Sequence, residues 1–149
     1  MDNKTNLFAA IDSPYELPKR QTRHAAGYDL RAAETVEIVG GAGTYCVKTG
    51  VRLAGMRPGY FGKVEVRSGL ARHQHLAVSA GVIDSDYTGE IMALIYCTKV
   101  GHRYTVTAGD RIVQMVIHKL DYDYAYHSGW LELVSDATRN GGFGSTGST

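Results

Sequence analysis

Apolar and polar residues alternate along this chain in short runs, broken by a turn signal about every ten residues, and that rhythm leaves little room for helices. From Tyr45 to Leu53, the residues Tyr45, Val47, Val51 and Leu53 are placed to face inward, while Lys48 and Arg52 fall on the opposite parity, as a half-buried strand requires. The same alternation runs through Lys63-Val64-Glu65-Val66-Arg67. Further strands are expected over Thr35 to Val39, Leu76 to Ser79, Glu90 to Thr98, Arg103 to Thr107, Arg111 to Leu120 and Trp130 to Val134. Only Ser68 to Arg72 reads as a short helical turn, with Ser68 as its N-cap. No helical crossover of the kind a parallel sheet needs is present, so the expectation is an all-β sandwich or barrel. Residues 1–138 read as one domain, and Arg139 to Thr149, rich in Gly, Ser and Thr, as a flexible arm.

Charge narrows the partners. Sixteen Lys plus Arg stand against fifteen Asp plus Glu, which provides no general field for nucleic acid or an anionic membrane, so any anion must be met by local groups. Ile91 to Cys97, the longest apolar run, is far too short to span a bilayer. Cys46 and Cys97 sit in apolar stretches without CxxC or Cys/His spacing, and read as buried free thiols of a reducing compartment. The first thirty residues carry no apolar core suited to a secretory signal, so a cytoplasmic or nuclear location is expected.

Several segments carry possible chemistry, each with a plainer alternative. Gly141 to Gly147, near Arg139, has the closely spaced N–H groups and hydroxyls of a phosphate cradle, although such tails are more often disordered ends. Ala80 to Glu90 reads as strand, turn and strand with Asp84 and Asp86 at the bend, serving either an ordinary turn or as base or metal ligand. Arg67-Ser68-Gly69 brings a guanidinium, a hydroxyl and N–H groups to one place, suited to an anion or to simple capping. Asp29, between apolar neighbours, is either a buried, paired carboxylate or a metal-facing one. Gly109-Asp110-Arg111 reads as an ordinary turn into a strand in which Gln114 is a polar residue. His73 and His75 would share one face of a strand, but two ligands fall short of a zinc site.

Taken in order, these pieces resemble the five motifs of the homotrimeric dUTPase family. The matches are AAGYDLRAAE at Ala25 to Glu34, RSGLA at Arg67 to Ala71, AGVIDSDYTGE at Ala80 to Glu90, GDRIVQMVI at Gly109 to Ile117 and GGFGSTG at Gly141 to Gly147. The resemblance implies a β-barrel or jelly-roll subunit in a trimer whose active sites are shared between subunits. It implies hydrolysis of dUTP to dUMP and pyrophosphate, which limits uracil incorporation into DNA and supplies dUMP for dTMP synthesis.

By the same resemblance, Asp84 activates the water that attacks the α-phosphorus, and Asp29 meets Mg2+ through its coordinated waters. The hairpin from Val78 through Gly81 and Ile83 to Tyr87 reads the uracil edge, with Tyr87 packed on the sugar. Arg67, Ser68, Gly69 and Gln114 hold the phosphates, Phe143 closes over the uracil, and Arg139, Gly144, Ser145 and Thr146 reach the terminal phosphates. Two departures stand out: Val66 occupies the place of the family's usual Pro, and Asn140 alone separates Arg139 from Gly141 where the family normally has two residues. A dCTP deaminase of similar fold, a silent nucleotide-binding regulator and an unrelated β-sandwich are the competing readings.

Overall fold

The structure, a computed structural model, describes residues 7–121. Ten strands and one helix follow in the order β1 (Phe8–Ala10), β2 (Gly27–Arg31), β3 (Val36–Val39), β4 (Tyr45–Leu53), β5 (Tyr60–Val66), α1 (Ser68–Gln74), β6 (Leu76–Val78), β7 (Val82–Asp84), β8 (Glu90–Cys97), β9 (Arg103–Val106) and β10 (Arg111–Lys119). One four-stranded sheet has the order β1-β4-β8-β6, a second β2-β10-β5-β7, and β3 pairs with β9 alone. All of these pairings are antiparallel. The chain passes repeatedly between sheets, with β6 in the first, β7 in the second and β8 back in the first, so the all-β jelly-roll expectation is met.

One core holds the sheets together. Val47, Val51, Leu53, Ile91, Ala93, Ile95 and Leu76 come from the first, and Leu30, Val64, Val113 and Met115 from the second, all at most 5% exposed. In β8 burial alternates strictly, with Ile91, Ala93, Ile95 and Cys97 inward and Met92, Leu94 and Tyr96 on the other face. That is the period of two expected of a sheet with one face in a core.

Strand β4 departs from a regular ladder without losing its parity. Lys48 pairs with Met92 and Arg52 with Glu90, so β4 spends four residues where β8 spends two. The two extra residues leave Val47, Val51 and Leu53 all facing inward. Gly50, at φ +69°, takes the left-handed conformation that the irregularity needs, and an added Cβ would lie 2.8 Å from that of Ser13. Side chains replace the missing ladder bonds here: the buried Thr49 hydroxyl donates to the Ile91 carbonyl, and the Gly50 N–H donates to the Glu90 carboxylate at 2.8 Å.

Four expectations are corrected. Helix α1 extends to Gln74, and its N-cap is Arg67, in extended conformation and without a side-chain cap, so Ser68 is the first helical residue instead. His73 lies on this helix rather than on a strand, while His75 caps its end at φ 57°, donating its N–H to the Leu70 carbonyl. Cys97 is buried, but Cys46 is exposed, because it falls on the even parity of β4 that faces away from the core. Partial burial, with Glu34 and Glu90 nearby, pushes the Cys46 thiol above its ordinary range, leaving it a poor thiolate. Tyr45 is half-buried rather than fully inward, with its hydroxyl accepting from the Val39 N–H at 3.1 Å. The expected strand at Trp130 to Val134 lies outside the described residues.

Replacing Thr49 with Val keeps the shape and removes the donor to the Ile91 carbonyl. Such a buried unsatisfied acceptor costs about 1–3 kcal/mol, which urea unfolding will read as a lower midpoint at unchanged slope.

Candidate active site

Cross-strand register on the second sheet decides which polar residues meet. Asp29 on β2 pairs with Gln114 on β10, and Gln114 pairs in turn with Glu65 on β5, so the three form a row on the face turned away from the core. Gly27 sits beside this row because an added Cβ there would lie 2.5 Å from Gln114 Oε1. Two rows further along the same face, His118 pairs with Phe61 and Phe61 with Asp84, and the His118 and Phe61 rings stack at 5.1 Å.

The Asp29 carboxylate is the centre of a charge cluster. Its Oδ1 lies 3.4 Å from Arg67 Nε and its Oδ2 3.3 Å from Arg111 Nη1, while the side chain is only 10% exposed. Arg67 Nη1 also donates to the Arg111 carbonyl at 3.1 Å. Of the two alternatives for Asp29, the paired carboxylate is the one observed. A carboxylate this enclosed has lost most of its hydration, and the two guanidiniums compensate it.

Arg111 reaches that cluster through a second irregularity. Arg111 pairs with Arg31 and Val113 with Leu30, so β10 spends two residues where β2 spends one. A single extra residue reverses parity, and Ile112 and Val113 both turn into the core with no exposed surface. Arg111 is thereby placed on the outer face beside Asp29. Reading Gly109-Asp110-Arg111 as an ordinary turn missed this residue. The adjacent apolar pair Ile112-Val113 is the only sign of it in the sequence, and the run Met115-Val116-Ile117 in the same strand shows that adjacent apolar residues alone do not mark an irregularity.

A shallow depression opens beside Asp29, lined by Glu16, Lys19, Gln21, Arg31 and Arg111 among others. Lys19 is brought there by the backbone bridge between it and Asp29. Arg31 is held by donation from its Nη1 to the Gly109 carbonyl at 2.7 Å. Lys19, Arg31, Arg67 and Arg111 outnumber Glu16 and Asp29, which makes this a local cationic site on a chain of almost balanced charge. Ser68 and Gly69 lie exposed in the first turn of α1, directly after Arg67.

The third motif crosses from one sheet to the other. Val78 pairs with Ile95 on β8, while Val82, Ile83 and Asp84 pair with Lys63, Gly62 and Phe61 on β5. At the crossing, the Gly81 carbonyl accepts from the Val64 N–H at 2.7 Å, and a Cβ on Gly81 would fall 2.5 Å from the Val64 carbonyl oxygen. Asp84 to Tyr87 form a turn closed by the Tyr87 N–H and the Asp84 carbonyl at 3.1 Å, and the Tyr87 hydroxyl donates to the Glu90 carbonyl at 2.9 Å. Ile83 packs inward against the core, and Asp84 lies on the outer face.

Asp29, Arg67 and Gln114 are thus brought together, and Asp84 is not among them. Three strand spacings of about 4.8 Å, with four residues of about 3.3 Å along β5, separate Asp29 from Asp84 by on the order of 20 Å. Arg139, Phe143, Gly144, Ser145 and Thr146 lie outside the described residues.

Residues 13–147 match the family model described as dUTPase. The chain belongs to the dUTPase family. The deoxyuridine 5'-triphosphate nucleotidohydrolase of Paramecium bursaria Chlorella virus 1 is 41% identical over 131 residues, covering 87% of this chain and 89% of that protein. The crystal structure of the dUTPase from Streptococcus mutans superposes with a TM-score of 0.68 at 38% identity, over 76% of this chain and 95% of that one. A mutant of the Staphylococcus bacteriophage 80alpha dUTPase with dUpNHpp superposes with a TM-score of 0.69 at 26% identity, over 95% of this chain and 97% of that one. These dUTPase matches account for all five motifs in one chain, and the first four of them lie in the described part of the fold.

Replacing Asp29 with Asn leaves Arg67 and Arg111 adjacent without their shared counter-charge. With both guanidiniums about a third exposed, the expected loss is about 1–3 kcal/mol of stability. Thermal melts at low and high salt check the cause, since screening at 1 M salt will shrink the loss.

Proposed function

We propose that this chain is a dUTP diphosphatase, hydrolysing dUTP to dUMP and pyrophosphate at sites shared between the subunits of a homotrimer. The observation that carries the reading is the dUTPase family match across residues 13–147, which takes in all five motifs in order. The separation between Asp29 and Asp84 supports shared sites. Both residues must act on one triphosphate, and a spacing on the order of 20 Å within a chain is too wide for that. The depression beside Asp29 is also too shallow to enclose a nucleotide.

In this reading Asp84 of one subunit takes a proton from water as the water oxygen bonds to the α-phosphorus. The bond from that phosphorus to the bridging oxygen breaks, and pyrophosphate leaves. Arg67, Ser68, Gly69 and Gln114 of another subunit hold the phosphates, and no covalent enzyme intermediate is needed. The hairpin from Val78 through Gly81 and Ile83 to Tyr87 reads the base through its backbone, so that cytosine leaves buried groups unpaired. Tyr87, held by the bond from its hydroxyl to Glu90, packs on the sugar and disfavours a ribose. Arg139, Phe143, Gly144, Ser145 and Thr146 of the arm at 139–149 close the site and exclude water.

Among the described residues there is no group of three or more His, Cys, Asp or Glu able to cage a metal ion. Asp29 is already paired with Arg67 and Arg111 and lies among cations, so a bound Mg2+ would be carried mainly by the substrate phosphates, with its remaining sites filled by water. When bound, the ion neutralises charge on the phosphates. Asp29 would meet it only through those waters. No helix among the described residues is long and apolar enough to cross a membrane. The free cysteines Cys46 and Cys97 support a cytoplasmic or nuclear setting.

Pyrophosphate release will be fast for dUTP and slow for dCTP, dTTP and UTP, and Asp84→Asn will lower it by about 10²–10⁴-fold, as loss of a general base does. Release from all four nucleotides alike, or from none, would sink the reading. Sharing of sites has its own check. Chains carrying only Asp84→Asn and chains carrying only Asp29→Asn, each nearly inactive, are unfolded together and refolded as a mixture. Random assembly will restore about a quarter of the sites, because each draws the two residues from different copies. If both residues come from one chain, mixing restores nothing.

A further inference from the structure

Gly89, between the Tyr87 turn and β8, is not a glycine for the sake of its backbone. The described glycines at positive φ are Gly41, Gly43, Gly50, Gly59, Gly101 and Gly109, and Gly89 is not one of them. Its φ is one that alanine adopts, so what keeps a side chain away is space. A Cβ added there would lie 2.6 Å from the Tyr87 hydroxyl oxygen, 2.8 Å from Cζ and 3.1 Å from Cε2. The far end of the Tyr87 ring therefore rests directly on the Gly89 backbone.

The tyrosine is held at both of its ends. The Tyr87 N–H donates to the Asp84 carbonyl at 3.1 Å, closing the turn that carries the proposed base. The hydroxyl donates to the Glu90 carbonyl at 2.9 Å. Glu90 is itself fixed, because it opens β8 opposite Arg52 and its carboxylate accepts from the Gly50 N–H at 2.8 Å. Beside it the Ile91 carbonyl accepts from the Thr49 hydroxyl. The irregular stretch of β4 thus anchors the carbonyl on which Tyr87 hangs.

We propose that Gly89 is a specificity-determining position, the bare backbone on which the Tyr87 ring is seated so that it stands as a fixed wall toward the sugar. The role rests on the diphosphatase reading and deepens it. Rejecting a ribose by shape requires a wall that does not yield, because the extra hydroxyl is small and a ring free to turn aside admits it with little loss. Seating on Gly89 and the bond to Glu90 together lock the ring before substrate arrives. A side chain at position 89 would push the hydroxyl off the Glu90 carbonyl and release the ring.

The test is competition. dUTP and UTP are supplied together to the full chain with magnesium, and the two monophosphates are counted as they form. Their proportion gives the ratio of the two kcat/KM values, and a loss of folded protein leaves it unchanged because both reactions slow alike. Wild type, Gly89→Ala, Tyr87→Phe, Tyr87→Ala and the double variant of Gly89→Ala with Tyr87→Ala are compared. Gly89→Ala should lower the preference for dUTP by about 10-fold or more. Tyr87→Phe, which keeps the ring and loses the bond to Glu90, should lower it by about 2–10-fold, the worth of one hydrogen bond. With Tyr87 already replaced by alanine, adding Gly89→Ala should change the ratio no further.

An unchanged preference in Gly89→Ala would overturn the proposal. If that variant does not fold, Tyr87→Phe carries the test, and an unchanged preference there overturns it instead. An equal fall when Gly89→Ala is added to Tyr87→Ala would also overturn it, since the effect would not pass through the ring. A wild type that cleaves dUTP and UTP alike, or neither, would bring down the diphosphatase reading itself, whereas a wild type that prefers dUTP keeps that reading whatever the variants show.

Discussion

One extra residue in β10 is the constraint on which both the core and the site depend. β10 pairs with β2 on one side and β5 on the other, so any change in its phase is felt across the whole second sheet. With the irregularity at Ile112, two adjacent apolar residues enter the core and Arg111 leaves it. Without it, a guanidinium would be sealed among Leu30, Val113 and Met115. An unpaired charge in such a place loses several kcal/mol of hydration with nothing to offset it. The irregularity is therefore compelled by the sequence Arg111-Ile112-Val113, and the charge cluster at Asp29 is its consequence.

The two irregular strands differ by simple arithmetic, and the difference matters. In β4 two additional residues preserve parity, so the core stripe of Val47, Val51 and Leu53 runs through unbroken. The ladder is locally lost, and Thr49 and Glu90 make up for it with side-chain bonds. In β10 one additional residue reverses parity and redirects a side chain. The first is a local repair with no effect on which face is which. The second moves a cation from one face to the other, which is how such features re-aim groups beside functional sites.

Much of the fold was legible in the sequence because β-structure with one buried face has a local signature. Tyr45 to Leu53 is a strand over the full range read from its alternation, and β8 and β10 end within a residue of their expected limits. What escaped notice depends on contacts far apart in the chain. Asp29 is flanked by apolar residues whether it binds a metal or an arginine, and only the register that sets β2 beside β10 decides between them. Ser68 has the composition of a cap, but the chain leaves β5 in extended conformation only as far as Arg67, and the helix starts at Ser68 itself, one residue earlier than a cap there would allow. His75 was invisible as a helix terminus because residues other than Gly and Asn seldom take a left-handed conformation. Cys46 shows the limit of composition: its type favours burial, yet its parity in β4 points outward.

The distance between the two halves of the outer face has an electrostatic logic. Asp29 shows what happens to a carboxylate next to Arg67 and Arg111: both of its oxygens are taken up by guanidiniums. A general base must be open to water on the side where it takes the proton, and a base placed in that cluster would be crowded by two guanidiniums as Asp29 is. At a separation on the order of 20 Å, more than twice the screening length in physiological salt, Asp84 is beyond the influence of that pair within its own chain. In the shared-site reading the two meet only when a second subunit supplies the other half, and then with a triphosphate between them. The substrate's own negative charge would occupy the guanidiniums at that moment. The base is left to act on water, and the separation within each chain and the sharing between chains become two aspects of the same requirement.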